Sequence, residues 1–147
     1  MKNNPSRLTY LALACLAIFF ACTQSSALDT VSIEIEGTQF TIEVARTLEE
    51  QQRGLMFRRS MKENHGMIFV YEDDRTREFW MKNTLIPLSI AYISSDGVIR
   101  EIYDMEPQSL RGVSSVRSVR YALELNRGAF ERIGAQVGSK VEFPPDF

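Results

Sequence analysis

The run VSIEIEGTQFTIEV, Val31 to Val44, alternates apolar and polar side chains on both sides of Gly37-Thr38. Only extended backbone sends every second side chain to one face. The pattern therefore predicts two strands, Val31 to Glu36 and Gln39 to Val44, joined by a tight turn. The same signature returns in MIFVY (Met67 to Tyr71), in REFWMK (Arg77 to Lys82) and in SIAYI (Ser89 to Ile93). It returns again in VIREIY (Val98 to Tyr103), YALEL (Tyr121 to Leu125) and the closing Lys140 to Phe143. Ser94-Ser95-Asp96-Gly97 reads as the turn of a second hairpin, and Glu72-Asp73-Asp74 as a solvated acidic turn.

Two short helices interrupt the strands. Thr47-Leu48-Glu49-Glu50 has the spacing of a capping box, in which hydroxyl and carboxylate satisfy free amide donors at a helix start. That helix should run from about Leu48 and end near Gly54. Asn126 can cap a second helix through about Ile133, with Gly134 ending it in a left-handed turn. The expected fold is α+β: a mainly antiparallel, strongly curved sheet or partly closed β-barrel of about eight strands with two short helices. Closure would remove exposed strand edges.

Residues 1–27 have the three parts of an export signal: Lys2 and Arg7, an apolar run from Leu8 to Cys22, and Ser25-Ser26-Ala27 for cleavage. The run is about 15 residues, short of the roughly 20 of a spanning helix, so no membrane span is expected in the mature chain. Residues 28–147 then form a single domain in the periplasm or outside the cell. Cys22 offers an alternative, cleavage ahead of it and a lipid anchor on its thiol. Both cysteines, Cys15 and Cys22, precede Ala27. Cleavage after Ala27 thus leaves no disulfide, thiolate nucleophile or cysteine-based zinc site. Removing Lys2 and Arg7 leaves 15 basic residues against 19 acidic, a net −4, which is no footprint for nucleic acid.

Four stretches, QQRGLMFR (Gln51 to Arg58), GMIFVY (Gly66 to Tyr71), FWMKNTLIPL (Phe79 to Leu88) and YALELNRG (Tyr121 to Gly128), carry a family resemblance. Together they resemble the family known as domain of unknown function 192, over about Ile42 to Val141. The resemblance implies an α+β, barrel-like domain, often exported, with no established activity. Ser89 stands where many members of that family look to carry aspartate.

The polar members of these motifs are the candidate site. If REFWMKN stays extended, Trp80, Lys82 and Thr84 share one face and Phe79, Met81 and Asn83 the other. In YALELN, Tyr121, Leu123 and Leu125 make the core face, so Glu124 shares the opposite face with Ala122 and Asn126. Lys82 and Glu124 on one concavity would be natural partners, with Arg53 beside them. Such groups form either a structural ion pair or solvated rim, or a small-ligand pocket of Arg53, Met56, Trp80, Lys82, Asn83 and Glu124. The cations and the aromatic suit an anionic or polyhydroxyl ligand. Alternatives are an envelope interaction module and a metal-free enzyme in which Lys82 tunes Glu124. The methionines show no tight cluster and read as core filler. His65, the sole histidine, precedes a turn glycine, so no metal or cofactor is expected.

Overall fold

The computed structural model describes residues 27–147. Residues 1–26, with Cys15 and Cys22 and most of the stretch read as an export signal, lie outside the described residues. Nine strands and two helices follow in the order β1 (Thr30–Ile35), β2 (Thr38–Ala45), α1 (Leu48–Arg53), β3 (His65–Arg75), β4 (Glu78–Phe79), β5 (Leu88–Ile93), β6 (Ile99–Met105), β7 (Val113–Ser114), β8 (Val119–Asn126), α2 (Ala129–Arg132) and β9 (Val141–Glu142).

Seven strands make one strongly curled sheet in the order β6-β5-β8-β3-β2-β1-β9, and β4 pairs with β7 in a small second sheet. The two expected hairpins form, β1 with β2 and β5 with β6. All pairings in the large sheet are antiparallel except that of β2 with β3, which run parallel in the register Val44 to Ile68. A parallel step needs a crossover, and α1 lies within it. The two edge strands meet at one corner, where Val98 bridges Lys140 and the amide of Ile99 donates to the carbonyl of Ser139 at 2.9 Å. The barrel is partly closed.

Both faces of the sheet are covered. One carries Ile33, Ile35, Phe40, Ile42, Ile68, Ile93, Leu123 and Leu125, closed off by Phe130 of α2. The other carries Met67, Phe69, Leu88, Ile90, Tyr92 and Ala122, packed beneath Leu55, Met81 and Ile86. Three of the methionines, Met67, Met81 and Met105, are buried in this second core. β5 is buried along its whole length for the same reason.

The sequence reading needs correction in four places. Asn126 does not cap α2: it ends β8, and its side-chain amide donates to the carbonyls of Met61 and Lys62 at 3.2 and 3.0 Å. Gly128 stands at the N-cap instead. His65 opens β3 rather than sitting in a turn. The acidic residues Glu72, Asp73 and Asp74 belong to β3, with Asp73 bonded to Arg75 and Arg77 and Asp74 to Arg120. REFWMK is not one strand, because β4 stops at Phe79 and the Thr84 amide turns back to the Met81 carbonyl at 3.0 Å.

Two local devices hold the cleft side of the sheet. The Thr47 hydroxyl accepts from the Glu50 amide at 3.2 Å, and Glu50 Oε2 accepts from the amides of Thr47 and Arg46, both at 2.8 Å. Those amides hold the Glu50 carboxyl below its usual range. Gly66 lets β3 and β8 approach: a Cβ there would lie 2.4 Å from the Glu124 carbonyl oxygen and 2.5 Å from Leu125 Cδ2. The Glu124 carbonyl is backbone and cannot yield without moving β8. Gly66→Ala should therefore lower unfolding free energy by about 1–3 kcal/mol, read as a reduced urea midpoint.

Candidate functional site

Glu124 lies in β8, paired with Met67 of β3 on one side and Ile90 of β5 on the other. Directly paired residues share a face, so this carboxyl rises from the second apolar core. It is 4 % exposed. Burial alone pushes its pKa from 4.5 up to about 8. Among the described residues no hydrogen bond and no cation offsets the desolvation. At neutral pH the group is a carboxylic acid, able to donate.

Above it opens a cleft of about 480 Å³. One wall is α1 and the turn after it, with Leu48, Gln52, Arg53, Leu55 and Met56. The opposite wall is Glu78, Phe79 and Trp80, and the floor is Phe69 and Tyr71 of β3 with Glu124. Gln51 pins α1 to the sheet by donating to the Val70 carbonyl at 2.9 Å and the Arg46 carbonyl at 3.2 Å. Gly54 takes φ 47 and ψ −134, a conformation open only to glycine, and its backbone lies against the Phe69 ring. That turn points Met56 into the cleft.

Tyr71 was not anticipated as a site residue. Burial pushes its hydroxyl up to about 12, opposed by the Arg77 guanidinium stacked on its ring at 3.8 Å and reinforced by charge on Glu124. Tyr92 of β5 is likewise raised by burial and then by Glu124, and its hydroxyl donates to the Val113 carbonyl at 2.6 Å. Both phenols thus stay neutral near Glu124. The alternation of GMIFVY could have found Tyr71, once Met67 is known to face Glu124.

Of the six candidate residues, Arg53, Met56, Trp80 and Glu124 line this cleft together, and Lys82 and Asn83 do not. Lys82 Nζ sits 5.2 Å from the centroid of Trp80 and forms no ion pair with Glu124 among the described residues. It reaches the cleft only through the indole. Asn83 adopts φ 57, a left-handed conformation that asparagine tolerates. Its carbonyl accepts from the Phe57 amide at 2.8 Å and its side-chain amide contacts Met56 Sδ at 4.0 Å. Asn83 therefore positions the Met56 turn. A second cavity of about 650 Å³ adjoins on the far side of Arg53, lined by Ala27, Leu28, Glu49 and Arg58 among others, with no buried acid and no indole.

The model of the DUF192 family, described as an uncharacterized ACR, matches residues 31–143. The chain belongs to this family. Two solved structures are similar to it in fold. One, from Sinorhizobium meliloti and named a "putative transcription regulator", is 35 % identical with a TM-score of 0.77, over 80 % of this chain and 95 % of that one. Another, a protein of unknown function from Novosphingobium aromaticivorans, is 34 % identical with a TM-score of 0.75, over 82 % of this chain and 89 % of that one. No curated protein matches the chain. Among the described residues no helix is long and apolar enough to cross a membrane.

The perturbed Glu124 couples folding to pH. A proton bound in the native state and released on unfolding stabilises the fold fully below pH about 4.5, the unfolded value. That stability is lost as pH rises through about 8, the folded value. Between pH 5 and 9 the protein should lose on the order of a few kcal/mol relative to Glu124→Gln. Urea unfolding of both proteins at the two pH values measures the difference, and the variant should be the more stable at pH 9.

Proposed function

We propose that this protein is exported and serves in the cell envelope as a binding domain for a small anionic or polyhydroxyl ligand, taken into the cleft above Glu124. The observation that carries the reading is the unpartnered buried carboxyl opening into that cleft. An isolated acid in an apolar core is costly and leaves a hydrogen-bonding group unused. A ligand polar group would use it. The surroundings agree: an aromatic and apolar wall with a few converging polar groups is how small-molecule pockets are lined. Arg53 at the lip supplies positive charge, and Trp80, half exposed, supplies a flat face. Lys2, Arg7, the apolar run to Cys22 and the small residues before Leu28 support export to the periplasm or beyond.

A second reading, an envelope interaction module, draws on the exposed apolar side chains Leu48, Phe57 and Trp80 at the mouths of the two cavities. Against it, these side chains do not account for the acid beneath them. The enzyme reading paired Lys82 with Glu124; among the described residues Lys82 stands over the Trp80 ring and no ion pair joins it to Glu124, so less supports that reading.

Trp80 is the sole tryptophan, so its fluorescence reports on the cleft without interference. Titration of the purified protein with envelope sugars, carboxylates and phosphates should give a saturable change for at least one class. Glu124→Leu, which replaces the acid by an apolar group, should abolish that change and leave the circular dichroism of the fold intact. Silence across all three classes would overturn the proposal.

A further inference from the structure

The floor of the cleft discriminates between the two ligand classes. A carboxyl group donates a hydrogen bond when neutral and only accepts when ionised. Burial on the second apolar core keeps Glu124 neutral. Tyr71 of β3 lies on the same floor and Tyr92 belongs to the neighbouring β5, two phenols that burial holds in their uncharged form. Glu78 on the opposite lip is turned to the Ser114 hydroxyl, which donates to it at 3.1 Å. Lys82 is held over the Trp80 ring. Among the described residues Arg53, from the end of α1, is the one cation lining the cleft, and it has no ion-pair partner there.

Resting on the binding-cleft reading, we infer that the cleft selects small organic acids with an apolar body, the ligand carboxylate accepting the Glu124 proton in a hydrogen bond while Arg53 balances its charge. The apolar body fits the walls of Leu55, Met56, Phe79 and Trp80. A neutral acid in an apolar setting is a strong donor to a ligand oxyanion. An ionised Glu124 would instead repel the ligand at close range with little solvent to screen it. A polyhydroxyl ligand gains less, because its hydroxyls can donate or accept with either form of the acid and carry no charge for Arg53 to balance.

The consequence is proton-linked affinity of defined sign. With Glu124 titrating at about 8, the binding-competent protonated fraction falls about tenfold between pH 7 and 9. Benzoate stays ionised over that range and serves as probe. Calorimetric titration of the purified protein with benzoate should show affinity falling about tenfold from pH 7 to pH 9. Glu124→Gln, which keeps a donor and does not titrate, should bind benzoate at both pH values with a flat profile. Arg53→Ala should weaken binding at both without changing the slope.

Benzoate affinity independent of pH in the wild type, or an unchanged slope in Glu124→Gln, would overturn the proton-donor role and leave the binding cleft standing. Binding of glucose that strengthens with pH, with benzoate inert, would overturn the choice of organic acids and leave the cleft standing. Failure of every probe at both pH values would overturn the cleft reading together with this one.

Discussion

The middle position of β8 governs the rest. Flanked by β5 and β3, and covered on both faces by separate apolar cores, it offers its side chains no route to water except through a gap in the covering. An acid placed there must be neutral, paired, or expensive. No partner is supplied among the described residues, so neutrality follows. The cleft is the gap: α1 lies on one side of it and the segment Glu78 to Trp80 on the other. Sheet position, protonation state and access to solvent are thus one arrangement described at three scales.

Holding that gap open requires stiff supports on both sides. On the α1 side the supports are the capping box at Thr47, the Gln51 amide spanning to the Val70 carbonyl, and a glycine-only turn seated on Phe69. On the other side, the turn from Met81 to Thr84 is locked to the first by the bond between the Asn83 carbonyl and the Phe57 amide. The lysine and the amide that follow Trp80 thus have different tasks. One rests on the indole face, and the other ties two turns together. Neither is the polar head that a ligand meets first.

Period-two alternation made most strands and both hairpins legible, because pleated backbone leaves no other way to sort side chains. The capping box was equally legible, since its partners lie within four residues. What failed was non-local. YALEL reads as one core face and one open face, and nothing nearby shows that the face of Ala122 and Glu124 would carry a second core closed by Leu55, Met81 and Ile86. The antiparallel pairing of β3 with β8, which places Tyr71 on the same cleft floor as Glu124, left no trace in either strand. Continuing the strand rhythm through Lys82 failed for a local reason: a turn accommodated by left-handed Asn83 breaks the alternation after Met81. Arg53, Met56, Trp80 and Glu124 were found because each sits in a motif. Their shared cavity depended on contacts that only the folded chain displays.

Ser89 shows how tightly the strand beside β8 is chemically specified. It is buried, its hydroxyl donates to Asp104 at 2.5 Å, and it accepts from the Gly128 amide at 3.0 Å. An aspartate at this position could still accept from Gly128, but it would confront Asp104 across the ladder with no proton between them. Positions 89 and 104 therefore work as a coupled pair, in which an acid on one strand demands a donor on the other. A relative bearing aspartate in the first place should have surrendered the acid in the second.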